Sequence, residues 1–376
     1  MIGTALPSSA RASAVLASYM PDLEDKLRSR SIIELESDSN PAIGLFKEAG
    51  GPRILIPDDW GGGGADARQA VYIQFALGSL APSTAVAVTM HQFTVATLVE
   101  LVRETRSMEA IVIEAIARES LLVASGFAEG RPDGRVLDPT MTLRADGPSY
   151  RLQGVKKPCS LTASMDMITV SVKMPDPSDQ FAVALLGSSV DGLRVEPFWR
   201  SPVLAGAETA AVIFDDVSIP KAALTYVAPS TDFDRTQLRG YVWFELCIAA
   251  AYLGIAAGFI ERLPQERADD TALVSMALEI ESAMGMLLSA AAHLDEGGAG
   301  DDLLAEALLV RYAVERSVQR STDLALELLG VTLLSGNPEL GLIFTASRAL
   351  SYHPPSRRRA QAGIAEFLRG GELVLE

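Results

Sequence analysis

Apolar residues fall at three- and four-residue spacing through most of this chain, except in a central stretch where they come in short bursts. From about 8 to 120 the spacing predicts helices. "RQAVYIQFALGSLA" and "TAVAVTMHQFTVATLVELV" keep their charges at the ends, and Pro82-Ser83 between them supplies a stop and a start. From about 121 to 228 the runs "YRLQGVKKP", "DMITVSVKM", "QFAVALLG", "GLRVEPFW" and "AAVIFDDVSIP" are rich in Val, Ile, Phe and Tyr, punctuated by Gly, Pro, Asp and Ser. They predict antiparallel strands in a small sandwich or barrel. Helices return after Pro229. Leu273, Met276, Ile280, Met284, Leu287, Ala291 and Leu294 make one apolar face over 271–296, a second helix covers 303–329, and Asn337-Pro338 starts another that ends near Tyr352. The expected division is 1–120 helical, 121–228 β and 229–376 a helical bundle.

Composition narrows the function classes. The chain has 376 residues, 48% of them hydrophobic, enough for a large buried core. A net charge of −16 argues against nucleic acid or an anionic membrane as partner. "YVWFELCIAAAYLGIAAGFI", 241–260, is long enough to span a bilayer, but Glu245 interrupts it, so a helix buried in a bundle is the better reading. The N-terminus lacks a charged start followed by an apolar core, and a cytoplasmic protein is expected. Two cysteines, Cys159 and Cys247, cannot build a disulfide framework, and His91 and His293 lack neighbouring ligands, so no metal is expected.

Three motifs carry more. They are "LIPDDWGGGGAD" at 55–66, "GVKKPCSLTASMDMITVSV" at 154–172 and "AETAAVIFDDVSIP" at 207–220. In this order and spacing they resemble the acyl-CoA dehydrogenase superfamily, and "FDDVSIP" is the most specific. The resemblance covers nearly the whole chain. It implies an acyl-CoA dehydrogenase-like α+β fold: an N-terminal helical domain, a central antiparallel β-domain and a C-terminal four-helix bundle. It also implies FAD between sheet and bundle, and a dimer or tetramer.

Residue by residue, the resemblance places the flavin contacts at Phe127 and Ala128, in the turn Ala128-Glu129-Gly130, and at Cys159 and Ser160. Pro158 stands where the family has tryptophan. Glu327, Leu329 and Gly330 match a segment that touches the dinucleotide of a neighbouring subunit, while the family's pyrophosphate-gripping arginine loop has no counterpart in "RLPQERADDTALV". Weak FAD binding is therefore expected. The family's catalytic glutamate falls on Pro354, next to His353. Glu245 lies one residue, a rotation of roughly 100°, from the alternative base position on a bundle helix. It reads either as that base or as a buried partner for an arginine. His353, in "ALSYHPPSRRRA", matches a histidine that works beside a serine in monooxygenases of the same fold. It reads as a catalytic imidazole or as a helix cap.

The leading expectation is a flavin-dependent oxidoreductase that dehydrogenates an acyl thioester at Cα and Cβ, with an acyl-CoA or acyl-carrier protein as partner. The first alternative is a two-component monooxygenase that uses reduced FAD or FMN from a reductase partner. The second is a flavin-free member that binds or does non-redox chemistry. Arg357, Arg358 and Arg359 read as a solvated helix start or as a phosphate site for CoA.

Overall fold

The structure, a computed structural model, describes residues 6–105, 109–131, 138–175, 180–229, 234–264 and 269–375. The N-terminal part is helical: α1 (Pro7–Tyr19), α2 (Leu23–Arg28), α3 (Ile32–Leu35), α4 (Ala42–Glu48), α5 (Ala67–Leu80), α6 (Pro82–Thr105) and α7 (Glu109–Glu119). Asp66 starts α5 through a reciprocal capping box with Gln69. Proline at the first position of α6, with no intervening loop beyond Ala81, turns the chain sharply between two nearly all-buried helices.

Strands follow: β1 (Val123–Gly126), β2 (Arg144–Asp146), β3 (Ser149–Cys159), β4 (Met167–Lys173), β5 (Gln180–Gly187), β6 (Leu193–Pro197), β7 (Ala210–Pro220) and β8 (Leu224–Pro229). They form two four-stranded sheets, β1-β4-β5-β8 and β2-β3-β7-β6. All pairs are antiparallel except β1 with β4, which runs parallel and sets Ser125 beside Thr169. This departs from the all-antiparallel expectation. β1 follows α7 and is not joined to β4 by a hairpin: the chain first passes through β2 and β3 of the other sheet, a crossover long enough for a parallel pair. Buried His91 ties α6 to this edge, with Nε2 2.8 Å from the Pro52 carbonyl and Nδ1 accepting the Val123 N–H at 3.0 Å.

The C-terminal helices are α8 (Arg235–Glu261), α9 (Asp270–Asp295), α10 (Gly300–Gly336), α11 (Pro338–Ser347) and α12 (Arg357–Leu368). α8 is the central stave and carries the 241–260 run, whose side chains are almost wholly buried against α5, α6, α9 and α10. Its glycines permit that packing: a Cβ on Gly254 would lie 2.0 Å from the Phe75 carbonyl of α5. α10 runs past the expected end at 329 and bends at Gly330, whose φ of 65° only glycine adopts without strain. After α11 the chain makes a short 3₁₀ turn, Arg348–Tyr352, and leaves helical geometry at His353 in an extended conformation. The prolines that follow cannot continue a helix.

α9 differs from α8. Val274 and Leu278 are 57% and 62% exposed, so this apolar helix is covered on one side only.

Candidate active site

The two sheets, α6 and α8 enclose a cavity of about 260 Å³, small beside typical ligand pockets of roughly 300–1,000 Å³. The sheets supply Ser125 and Thr169 from β1 and β4. Pro158 at the end of β3, with Ser160 and Thr209 beyond the strands, completes that wall. The Ser160 and Thr209 hydroxyls bond each other at 2.9 Å, because the β3–β7 ladder ends by pairing Cys159 with Ala210. Phe127, Ala128 and Trp199 add a flat apolar wall. α6 contributes Met90, Phe93, Thr94 and Thr97, while α8 contributes Gly240, Tyr241, Phe244 and Tyr252. These positions recur at helical spacing, so each helix shows the cavity one continuous stripe.

Tyr352, His353 and Pro354 close the remaining side. The His353 ring lies edge-on to Phe244 and to Tyr252, with centroids 6.2 and 5.5 Å away. The Tyr252 hydroxyl lies 3.0 Å from His353 Nε2. Burial pushes the imidazole down to about 3, and the positive charge of Arg311 acts in the same direction. The ring is therefore neutral near pH 7. Burial also raises the Tyr252 phenol, which stays protonated. Tyr252 is fully buried and shows no other hydrogen bond among the described residues, whereas His353 is only half-buried at the cavity, where its other nitrogen can be solvated; an unpaired buried O–H costs about 1–3 kcal/mol, so the phenol is the donor to Nε2. The proton of the neutral imidazole then sits on Nδ1.

Among the described residues no Asp, Glu, Lys or Arg lines the cavity. Glu245 is on α8 but turns away from it: its carboxylate meets Arg311 of α10 at 3.1 Å, both side chains essentially inaccessible to solvent. Burial raises this carboxyl to about 7 against the pull of the arginine. Of the residues singled out in the sequence, His353, Ser160, Phe127 and Ala128 share the cavity. Cys159 is buried outside it, with its thiol pushed up to about 12 by burial. Glu327, Leu329 and Gly330 lie on α10 beyond its walls; Leu329 is buried, while Glu327 and Gly330 face solvent. Of the three arginines at the start of α12, Arg357 and Arg358 are exposed.

Sequence reasoning missed Tyr252, Thr209, Trp199 and Arg311. Only Arg311 had a visible signal: a charged residue at the apolar spacing of α10, in step with Leu304, Leu308, Val314 and Val318. Beside the cavity, Lys156 of β3 is buried and bonds Glu129 at 2.7 Å and Ser171 at 3.1 Å. Glu129 also accepts from the Thr140 N–H. These contacts pin the chain just past Phe127 and Ala128.

The cavity residues fit a flavin. Phe127, Trp199 and Ala128 offer apolar faces for a ring system, and the hydroxyls of Ser125, Ser160, Thr169 and Thr209 line the same cavity, where they could meet ring heteroatoms.

Residues 244–352 match the family described as acyl-CoA dehydrogenase, C-terminal domain. Isobutylamine N-hydroxylase of Streptomyces viridifaciens is 36% identical over 363 residues, 94% of this chain and 96% of that protein. Among solved structures, KijD3 in complex with FMN and a dTDP-linked amino keto sugar superimposes with a TM-score of 0.81 at 18% identity. That match covers 99% of this chain and 96% of that one. A glutaryl-coenzyme A dehydrogenase superimposes with a TM-score of 0.77 at 16% identity, covering 98% and 96%.

Proposed function

The chain belongs to the acyl-CoA dehydrogenase-like flavoprotein oxidoreductases, and on that premise we propose that it is a flavin-dependent N-hydroxylase of a small primary amine. The observation that carries this is the cavity's chemistry. Dehydrogenation of a thioester needs a base at the α-proton, and no carboxylate lines this cavity among the described residues. By the resemblance Pro354 falls at the glutamate position, and Glu245 is engaged by Arg311 behind the wall. The relative that is 36% identical over nearly the whole chain is an N-hydroxylase, which supports oxygen transfer as the reaction.

When bound in reduced form, the flavin supplies two electrons to dioxygen, so that one oxygen atom goes to the amine nitrogen and the other leaves as water. The chain's part follows from its residues. An amine reacts through its lone pair, so it must arrive uncharged. A cavity walled by Phe93, Phe244, Met90 and Leu98, without a carboxylate partner, disfavours the ammonium form and lowers the amine's pKa. Those walls also exclude water from the reacting centre. Neutral His353, with Nε2 held by Tyr252, offers its Nδ1–H to the cavity as a donor for developing negative charge on oxygen. Ser160 and Thr209 hold each other's hydroxyls at the opposite wall. A reductase that supplies reduced flavin and a second copy covering α9 complete the assembly we propose, in the cytoplasm. The test is to supply reduced flavin, oxygen and a series of short primary amines and to look for hydroxylamines by mass spectrometry. Formation of enoyl thioesters from acyl-CoA, with no hydroxylamine, would return the protein to the dehydrogenases.

A further inference from the structure

Behind the cavity wall sits a charged group that the proposed reaction does not use directly. Arg311 is 1% exposed, and its guanidinium gathers the backbone that follows α11. Nη2 donates to the Leu350 carbonyl at 3.1 Å and to the His353 carbonyl at 2.5 Å, and Nη1 donates to the Pro355 carbonyl at 3.0 Å. Tyr312, the next residue, donates its hydroxyl to Pro355 at 2.9 Å. Such convergence has a cause in the sequence. The His353 N–H reaches the Leu350 carbonyl at 3.2 Å, but the prolines at 354 and 355 have no N–H to extend that turn, so the guanidinium takes up what the local chain leaves open. A guanidinium answers because its donors lie in a rigid planar fork; an ammonium cannot hold the same geometry. Glu245 on α8 compensates the buried charge at 3.1 Å.

We propose that Arg311, with Glu245 as its counter-charge, is a positioning residue of the oxygen-transfer site. It fixes the backbone of His353 while Tyr252 fixes the ring, so the imidazole presents one nitrogen to the cavity in one tautomer. The inference rests on the reading of His353 as the cavity's hydrogen-bonding group. It assigns Glu245 a role through Arg311 rather than as a base.

The test uses the whole protein labelled with ¹⁵N at histidine. Only three histidines are present, and His353→Ala identifies the signal of interest. In the wild type, without flavin, His353 should show a single neutral tautomer with the proton on Nδ1. Arg311→Lys should mix the tautomers and lower the hydroxylamine formed per oxygen consumed by about tenfold, with amine KM nearly unchanged. Should Arg311→Lys not fold, Arg311→Gln combined with Glu245→Gln removes both charges and keeps an amide donor, and the same loss is expected. Two results would overturn the proposal: mixed tautomers already in the wild type, or a folded variant with wild-type tautomer and coupling. If no amine is hydroxylated by the wild type, the proposed reaction fails, while the tautomer measurement still decides the positioning role.

Discussion

Tyr252 of α8 and His353 beyond α11 meet at 3.0 Å across 101 positions of sequence, hydroxyl to Nε2, at the edge of the cavity. The contact joins the bundle's central helix to the turn that follows α11. It also sets which imidazole nitrogen is free.

Replacing that imidazole separates the two meanings of His353. His353→Ala should lower turnover roughly a hundredfold or more, the usual contribution of a positioned proton-handling group. Its melting temperature should stay within a few degrees of wild type. A residue that only caps a turn would cost about 0.3–1 kcal/mol of stability and leave turnover intact, so turnover is the readout that separates the two. Tyr252→Phe removes the hydroxyl and leaves the ring packing in place, so activity should fall less than in His353→Ala.

Acid should act on stability through the same ring. His353 is pushed down to about 3 and His91 to about 4, both by burial. In the unfolded chain each takes a proton near pH 6.5. Their contribution is thus complete above pH 6.5 and is lost as the pH falls toward 4 and 3. Glu36, raised to about 7 by burial, works the other way: it favours folding below its unfolded pKa of about 4.5 and loses that contribution as the pH rises through 7. His353→Gln removes one term. Between pH 6.5 and 5 the wild type should lose about 1–2 kcal/mol more than this variant, read by urea unfolding at each pH.

Flavin should come away easily. The resemblance places a pyrophosphate-gripping arginine loop at 262–274, a stretch whose residues 265–268 lie outside the described residues; its sequence offers no counterpart, and charge-assisted bonds worth about 1.5–3 kcal/mol each would then be lost. Protein dialysed after purification should be colourless and regain flavin absorption on adding FAD or FMN. A stoichiometric yellow preparation after dialysis would show that other groups hold the cofactor.

The uncovered side of α9 predicts self-association. Val274 and Leu278, with Leu309 of α10 at 43%, are exposed apolar side chains in a chain with abundant surface charge. Light scattering at micromolar concentration should show a dimer or tetramer, and Leu278→Arg should dissociate it. A monomeric wild type would remove the argument.

Much of the fold was legible because long elements repeat their pattern. The apolar face of 271–296 and the runs "DMITVSVKM" and "AAVIFDDVSIP" each carry many residues of one period, and those elements stand where expected. β1 was not legible: "VASG" is too short to show alternation, and its parallel partner is more than forty positions away. The site was legible in pieces. Pro354 and Pro355 mark a helix end by their chemistry, which singled out His353. Tyr252 sits in an all-apolar run and differs from a core tyrosine only by what meets its hydroxyl, and that is set by tertiary packing. Arg311 could have been found, since a cation at a core position of a helix needs a buried partner, and Glu245 was the available carboxylate.

Oxygen transfer itself is tested most directly with ¹⁸O₂. Protein mixed with chemically reduced flavin and a short primary amine such as isobutylamine, then exposed to labelled dioxygen, should yield a hydroxylamine carrying one ¹⁸O atom, while acyl-CoA leaves oxidised flavin unbleached under anaerobic conditions. Anaerobic bleaching by an acyl thioester, with no labelled hydroxylamine from any amine, would contradict the account.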